Sequence, residues 1–174
     1  MNKYQHLFSP IKIGTVEVPN RIALLPMGVF SSRMMNNDGS YTKDGADYYI
    51  ERAKGGTGLI ITGLVPVPKG AGLPSIVNDV KSYTENMKYL ADGVHKYGSK
   101  VFVMLTAMSG RASIHPTDPA PSSMPNVWDP SKNNPEMSIE DIHQYIECLL
   151  KEQKLLKMQG LMELKFMLYT KVIY

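Results

Sequence analysis

Residues 14–28 read Gly-Thr-Val-Glu-Val-Pro-Asn-Arg-Ile-Ala-Leu-Leu-Pro-Met-Gly, and this stretch decides the fold. A leading loop ends at Pro19-Asn20, and the apolar run that follows has strand length and breaks at Pro26 and Gly28. Continuous apolar runs are typical of parallel strands buried on both faces. Ligands of parallel α/β folds bind at the carboxyl ends of such strands. Taken alone, the stretch fits a ligand-binding edge and an ordinary buried strand with a turn equally well.

The same signature recurs twice further along the chain. Residues 57–63 and 100–106 are apolar runs next to glycines, and each strand follows the previous one by about 40 residues. Each of the two stretches between these strands contains apolar residues at helical spacing. They are Tyr49, Ile50 and Ala53 between the first and second strands, and Met87, Leu90, Ala91 and Val94 between the second and third. This alternation predicts right-handed βαβ crossovers and a parallel sheet, hence an α/β fold.

A long segment separates the third strand from a third helix. Residues 107–136 are rich in Pro, Ser and Asn and include the single tryptophan, Trp128, which favours a lid or a binding loop. Ser138 and Asp141 have the spacing of a capping box, with Asp in place of the usual Glu. The predicted apolar face of the helix that follows consists of Ile139, Ile142, Tyr145 and Ile146.

Composition narrows the class of protein. The chain has 174 residues, 43% hydrophobic and 20% charged, which are values for one globular domain. One cysteine, Cys148, excludes an intrachain disulfide and a cysteine-rich metal or iron–sulfur site. The first residues lack the apolar core of a signal peptide, and no apolar run reaches the ~18 residues of a membrane helix. We therefore expect a cytoplasmic protein with no membrane or nucleic-acid partner.

The net charge of +3 is confined to the end of the chain. Residues 1–150 carry 14 basic and 14 acidic residues, whereas residues 151–174 carry five lysines against Glu152 and Glu163. Such a tail is compatible with a footprint for nucleic acid or an anionic membrane, and more often forms a solvated helix face. A third explanation, given below, is that the tail is translated out of frame.

Taken in order, several motifs resemble one family. They are Phe8-Ser9-Pro10-Ile11-Lys12-Ile13-Gly14, Asn20-Arg21-Ile22, Pro26-Met27, Tyr48-Tyr49, residues 51–56 (Glu-Arg-Ala-Lys-Gly-Gly), Gly58-Leu59-Ile60-Ile61, Gly110-Arg111 and Met137-Ser138. Over residues 5–147 the chain resembles the amino-terminal part of the Old Yellow Enzyme family of FMN-dependent NAD(P)H:flavin oxidoreductases. The most similar branch is that of 2,4-dienoyl-CoA reductases and bile-acid-inducible enoate reductases.

The resemblance implies a (β/α)₈ TIM barrel, with FMN at the carboxyl ends of its strands and NAD(P)H as reductant. Pro26, Met27 and Gly28 would run past the flavin ring, and Gly63 or Leu64 would lie near its pyrimidine edge. The family has a small residue at the position of Leu64. It also has a glutamine where this chain has Met104, and a thioether cannot donate to the flavin. Unmatched flavin groups would cost about 1–3 kcal/mol.

Other polar residues are weaker candidates. Arg111 would anchor its loop or approach the phosphate end of the cofactor, and His115, in the long loop, is a candidate for substrate contact. His95 and His143 are expected to be solvated on helix surfaces. Tyr41 and Tyr48 would line the mouth of the site, although packing is their more common use.

The genetic code offers a reading of the tail. If the third base of each codon is joined to the first two of the next, Met158-Gln159 must give Ala and Met162-Glu163 must give Gly. With permitted codons, residues 157–173 then read Asp-Ala-Gly-Val-Asp-Gly-Val-Glu-Ile-His-Ala-Val-His-Glu-Gly-Tyr, which is the family's fourth strand with its histidine pair. We therefore divide the chain into residues 1–147, the amino-terminal barrel portion, and residues 148–174, an out-of-frame tail.

Two functions follow from this interpretation. The chain is a fragment of an ene-reductase that passes hydride from NAD(P)H through FMN to an activated alkene, with a small enoyl or enone compound as substrate. Alternatively, it is a truncated, inactive remnant, since a complete barrel needs about 250 residues and this chain supplies three or four strand–helix units. An exposed sheet edge would then allow self-association. An unrelated parallel α/β binding domain is disfavoured by the ordered motifs.

Overall fold

The computed structural model describes residues 3–27, 31–66, 80–106, 110–113 and 115–158. Its elements are β1 (Ile11–Ile13), β2 (Val16–Val18), β3 (Ala23–Leu24), α1 (Lys43–Lys54), β4 (Leu59–Pro66), α2 (Val80–His95), β5 (Lys100–Thr106), β6 (Met124–Pro125), β7 (Asn133–Asn134) and α3 (Ile139–Met158). The fold is mixed α/β, as predicted, and its central feature is a parallel sheet of β3, β4 and β5 in that order.

A β-hairpin precedes the sheet where the sequence predicted a leading loop. β1 and β2 pair antiparallel, and Gly14 makes the tight turn with a φ of 61°. Glycine adopts this left-handed conformation without steric cost. The signal was present in the sequence, because Ile11-Lys12-Ile13 and Val16-Glu17-Val18 each alternate apolar and charged residues around a two-residue turn.

The three predicted parallel strands are present, but the first is short. β3 pairs with β4 through Ala23 opposite Leu59 and Leu24 opposite Ile60. The predicted apolar run continued to Leu25, yet the ladder ends at Leu24. Pro26, at the next position that would face β4, has no N–H to extend it. β5 spans residues 100–106, as the sequence predicted.

Helices α1 and α2 cover one face of the sheet. Thr42 caps α1, its side chain accepting from the Gly45 N–H at 3.1 Å. The predicted face of α2 is correct, since Met87, Leu90, Ala91 and Val94 are all fully buried. The two helices approach closely at Gly93, where a Cβ would collide with the Ile50 side chain.

The described part of the long segment after β5 has a defined structure. β6 and β7 pair antiparallel, and the buried Asn126 amide donates to the Ser113 carbonyl at 2.9 Å and to the Asn134 side chain at 3.1 Å. The Trp128 indole N–H donates to the Ala112 carbonyl, while 68% of the residue remains exposed. Buried side-chain hydrogen bonds therefore replace a hydrophobic core here.

Helix α3 begins where predicted but packs with a different face. The capping box forms, with the Ser138 hydroxyl accepting from the Asp141 N–H and the Asp141 carboxylate accepting from the Ser138 N–H, both at 3.1 Å. The buried stripe comprises Tyr145, Leu149, Glu152 and Leu156. Of the four residues predicted to pack, only Tyr145 is buried, and Ile139, Ile142 and Ile146 are exposed. Leu149 and Leu156, further along the helix, join the main core and orient it.

Candidate functional site

A bulge in β4 brings Leu64 and Met104 together near the carboxyl end of the sheet. Ile61 pairs with Phe102 and Leu64 pairs with Met104, so two residues of β4 lie opposite the single residue Val103 of β5, and β4 has one extra residue here. Because strand side chains alternate between faces, the insertion turns Leu64 to the same face as Ile61, away from the helices. Ile60 and Val65 remain in the core beneath α1 and α2. Two side chains predicted to lie near a flavin are therefore neighbours.

Two buried tyrosines hold this bulge. The Gly63 N–H donates to the Tyr49 hydroxyl at 2.8 Å, and the Tyr41 hydroxyl donates to the Gly63 carbonyl at 3.1 Å. The two hydroxyls also contact each other at 3.4 Å, and their rings meet edge to face with centroids 5.1 Å apart. Both polar main-chain groups of Gly63 are therefore satisfied within the protein.

Burial keeps both hydroxyls protonated. It raises the pKa of Tyr41 well above its ordinary value, and the neighbouring Tyr49 adds to the rise. The pKa of Tyr49 is also raised, again mainly by burial. Each phenol can therefore donate one hydrogen bond and accept another. The sequence predicted that Tyr41 lines the mouth of the site or packs in the core, and that Tyr49 packs in the core. A tyrosine on the buried face of a helix was the sequence feature that could have indicated these hydrogen bonds, because a buried hydroxyl requires a partner.

The other predicted positions spread along the same edge of the sheet. Pro26 and Met27 lie just beyond β3, with Met27 68% exposed, and Gly28 lies outside the described residues. Met104 is 6% exposed, and its N–H contacts the Thr62 hydroxyl at 3.4 Å. Three adjacent strands therefore place Pro26, Met27, Leu64 and Met104 towards their carboxyl ends.

These side chains do not fit the polar edge of a flavin. Leu64 has no polar atom, and the Met27 and Met104 thioethers are only weak acceptors. Gly63 has no free main-chain group to offer, because its N–H donates to Tyr49 and its carbonyl accepts from the hydroxyls of both Tyr41 and Thr62. Pro26 and Met27 lie beyond the ladder between β3 and β4, so that ladder does not use their main-chain groups. The described wall is therefore apolar where a flavin needs hydrogen bonds.

The remaining polar candidates have mainly structural roles. Arg111 is exposed, and its carbonyl accepts from the Val127 N–H at 2.8 Å, which anchors the loop. Tyr48 packs beneath the Arg52 guanidinium, 3.3 Å from the ring centroid. His115 is exposed and donates its main-chain N–H to the Ser113 hydroxyl. These contacts favour loop anchoring and helix packing.

The two helix histidines differ from each other. His143 is exposed, as predicted. His95 is half-buried, and its Nε2 has no hydrogen-bond partner in the described part of the chain, so the prediction of a solvated side chain is wrong there. Burial, aided by Lys100, lowers the pKa of His95 and favours the neutral ring.

Two further classes of site find no support in the described residues. They contain no cluster of three or more His, Cys, Asp or Glu side chains that could hold a metal ion. None of the described helices is both long and apolar enough to cross a membrane.

Comparison with known proteins identifies the family. The model of the NADH:flavin oxidoreductase / NADH oxidase family matches residues 6–151. The chain belongs to this family. It is 36% identical to a cinnamate reductase of Clostridium sporogenes over 170 residues, and 37% identical to an NADH oxidase of Thermoanaerobacter brockii over 108 residues. The resemblance inferred from the ordered motifs is therefore confirmed.

The matches cover most of this chain and a small part of its relatives. The alignment with the cinnamate reductase includes 91% of this chain and 25% of that protein, and the corresponding values for the NADH oxidase are 60% and 16%. Solved structures agree on the fold. A 2-naphthoyl-CoA reductase complex matches with a TM-score of 0.71 and 23% identity, over 90% of this chain and 26% of that one. An Old Yellow Enzyme from Pichia sp. AKU4542 matches with a TM-score of 0.69 and 24% identity, over 89% and 43%.

Proposed function

We propose that the chain supplies the first three strand–helix units of a (β/α)₈ barrel. The complete barrel would be an FMN-dependent NAD(P)H oxidoreductase of the ene-reductase type, a class for which FMN would supply the hydride chemistry that reduces an activated alkene. The observation that carries this proposal is the match to the family over residues 6–151, together with a parallel sheet in the order β3-β4-β5. Consecutive strands that are neighbours and parallel are what the start of a barrel requires.

The substrate class follows from the names of the relatives. Cinnamate carries a carbon–carbon double bond conjugated to a carboxylate, and 2-naphthoyl-CoA carries an aromatic ring conjugated to a thioester carbonyl. Both are planar, conjugated acyl compounds. We therefore assign the complete enzyme a small enoyl or aryl-acyl substrate, and the apolar pair Leu64 and Met104 suits a flat, apolar body.

On its own, this chain is proposed to be catalytically silent. Its predicted flavin wall is apolar, and Gly63 has no free main-chain group. The chain also spans only a quarter of the cinnamate reductase that it matches. The remnant interpretation therefore suits the isolated chain, while the oxidoreductase interpretation suits the barrel of which it is a part.

Flavin retention tests this proposal directly. The purified chain is incubated with FMN, passed through a gel-filtration column and examined for the flavin absorption band. We expect no retained FMN and no cinnamate-dependent oxidation of NADH. A yellow protein that oxidises NADH would contradict the silent assignment. An alternative fold, shown by a circular dichroism spectrum without helix, would contradict the barrel assignment.

We also propose that residues 148–174 are translated out of frame. The support comes from the genetic code, since the forced Ala and Gly fall at the positions expected for the family's fourth strand. The family match ends at residue 151. The backbone does not mark the boundary, because α3 continues unbroken from Ile139 to Met158. The cinnamate reductase alignment covers 91% of the chain, and so includes some residues of the tail.

The nucleotide sequence of codons 140–174 tests the frame proposal. We expect third bases that permit the alternate reading through the histidine pair, and an open frame that continues into further strand–helix units. Codons incompatible with the alternate residues would refute the proposal and leave the barrel assignment of residues 6–151 untouched.

A further inference from the structure

The single tryptophan of the chain is fixed in place and yet largely exposed. Its main-chain N–H donates to the Asn126 side chain at 2.8 Å, and its indole N–H donates to the Ala112 carbonyl at 2.9 Å. Asn126 is 1% exposed, and Asn134, which accepts a hydrogen bond from it, is fully buried. Trp128 itself is 68% exposed. A large ring held rigidly in solvent is a flat surface that a ligand can cover with little further loss of side-chain entropy.

An arginine lies on the segment that faces this part of the loop. The Arg111 carbonyl accepts from the Val127 N–H at 2.8 Å, so Arg111 lies opposite the residue that precedes Trp128. Positions related in this way on facing segments are about 5–8 Å apart. Arg111 is exposed, and the ion pairs among the described residues do not include it. An unpaired guanidinium therefore lies beside the exposed ring.

The carboxylate next to the ring already has partners. Asp129 follows Trp128 in the sequence, and its carboxylate accepts from the Ser131 hydroxyl at 2.5 Å and forms an ion pair with Lys132 at 3.1 Å. These contacts offset the negative charge that would otherwise repel an anion from the ring. The local charge that is left for a ligand is the positive charge of Arg111.

We propose that Trp128 and Arg111 form a binding site for a planar aromatic anion, whose ring stacks on the indole and whose anionic group is held by the guanidinium. Because the indole N–H is bonded to Ala112, the Trp128 ring offers its faces, which suit stacking with another aromatic ring. A guanidinium binds a carboxylate or a phosphate through two parallel hydrogen bonds. Two sources have this chemistry, namely an aryl carboxylate of the kind proposed as substrate and the adenine nucleotide half of NAD(P)H.

Nuclear magnetic resonance of the ¹⁵N-labelled chain tests the site, because one tryptophan gives one indole N–H signal. Cinnamate is added in one titration and AMP in another. We expect a saturable shift of this signal, with half-saturation at about 1 mM for at least one of the two. Cinnamyl alcohol and adenosine lack the anionic group, and acetate and ribose 5-phosphate lack the aromatic ring. Each of these should bind more weakly by about fivefold or more.

Two variants separate the two contacts. Arg111→Met keeps the aliphatic stem and removes the guanidinium, and Trp128→Leu keeps an apolar side chain and removes the ring. Each should weaken binding by about fivefold or more, and the main-chain signal of Ala112 follows binding in Trp128→Leu. Arg33→Met is the matched control, since the Arg33 side chain is 82% exposed and pairs with Asp44 on another segment. It should leave the affinity unchanged.

Several outcomes would overturn this site. These are the absence of a saturable shift at about 10 mM in both titrations, equally tight binding of acetate or ribose 5-phosphate, equal weakening in Arg33→Met, or an unchanged affinity in both site variants. The amide spectrum of each variant shows whether its fold is kept. Tighter binding of cinnamate would identify the ligand as the substrate type, and tighter binding of AMP as the nucleotide. No flavin takes part in this test, so its failure is distinct from a failure of the proposed function.

Discussion

Two buried clusters that contain tyrosine differ in how well their polar groups are hydrogen-bonded. Beneath β4, the Tyr41 and Tyr49 hydroxyls satisfy each other and both main-chain groups of Gly63. Between α2 and α3, neither the Tyr83 hydroxyl nor Oε1 of the buried Glu152 makes a well-formed hydrogen bond in the described part of the chain, although the phenol lies close enough to the carboxyl to lower its pKa. Natural proteins satisfy nearly all buried polar groups. We call these the β4 cluster (Tyr41, Tyr49, Gly63) and the α3 cluster (Tyr83, Glu152).

The out-of-frame proposal accounts for the Glu152 part of this difference. Among the described residues, the Tyr145 hydroxyl and His95 Nε2 are also without a partner, and both belong to the matched part of the chain. The residues of the β4 cluster belong to the part of the chain that matches the family, whereas Glu152 lies in the proposed tail. A sequence read in the wrong frame still produces apolar residues at helical spacing, such as Leu149 and Leu156, by chance. It does not give a buried carboxyl a well-formed hydrogen bond. Sequences shaped by natural selection both pack their apolar side chains and provide hydrogen-bond partners for their buried polar groups.

The largest effect is expected at the helix that carries the β4 cluster. Gly45→Ala would place a Cβ against the Met34 carbonyl, well inside contact distance, and close to the Tyr41 ring. Alanine normally stabilises a helix by about 1 kcal/mol relative to glycine. Here the collision with main chain should reverse the sign and destabilise the fold by about 3 kcal/mol. Urea unfolding followed by circular dichroism measures the loss.

Gly55→Ala is the control for the collision at Gly45. Gly55 ends the same helix with ordinary helical φ, and its Cβ would only touch the Arg52 carbonyl at 3.4 Å. We expect a change within about 0.5 kcal/mol. Equal losses in both variants would show that close packing around Gly45 contributes nothing special.

Sequence reasoning predicted the local features of this chain better than those that depend on tertiary contacts. The bounds of β5, the buried face of α2 and the capping box at Ser138 all depend on local patterns, and they were correct. The bulge in β4 could not be predicted, because it is held by Tyr41 and Tyr49 from distant segments. The face of α3 was wrong because the helix carries two apolar stripes, and only tertiary contacts select the one with Leu149 and Leu156. Gly63 was assigned to a ligand, whereas its polar groups serve the fold.

The next largest effect is the pH dependence of the α3 cluster. The pKa of Glu152 is raised from 4.5 to about 7, mainly by burial and further by Asp38, while Tyr83 opposes the rise. The folded state therefore holds a proton that the unfolded chain releases, so stability is complete below about pH 4.5 and falls until about pH 7. The shift corresponds to a loss of about 3 kcal/mol, less if the end of α3 detaches instead. Urea unfolding at a series of pH values measures it.

Paired variants assign this pH dependence to one carboxyl. Glu152→Gln cannot ionise, so its stability should lose the downward slope between about pH 4.5 and pH 7. Glu147→Gln removes a carboxyl from the exposed face of the same helix and should keep the slope. Parallel curves for the two variants would mean that the slope comes from other groups.

A smaller loss is expected in the β4 cluster when one hydroxyl is removed. Tyr49→Phe leaves the Gly63 N–H buried without an acceptor and also removes a neighbour of the Tyr41 hydroxyl. A buried unsatisfied group costs about 1–3 kcal/mol, and we expect a loss of about 2 kcal/mol in urea unfolding. Faster amide hydrogen exchange at Gly63 would place the effect at the bulge. An unchanged free energy of unfolding would show that the bulge does not depend on Tyr49.

The smallest effect is expected for Tyr83→Phe, which removes a tyrosine hydroxyl from the α3 cluster as Tyr49→Phe does from the β4 cluster. Tyr83 is 1% exposed, and burial, together with the facing Glu152, raises its pKa well above the ordinary value. Its hydroxyl lacks a well-formed hydrogen bond, so deletion leaves no protein group newly unsatisfied. We therefore expect a change within about 0.5 kcal/mol at low pH, where Glu152 is neutral.

Above pH 7 the result should differ, because Tyr83 is the group whose contact with Glu152 lowers the pKa of that carboxyl. The variant should therefore be less stable than the wild type in this pH range. A loss at low pH equal to that of Tyr49→Phe would show that both clusters are satisfied alike, and the contrast between matched and unmatched burial would fail.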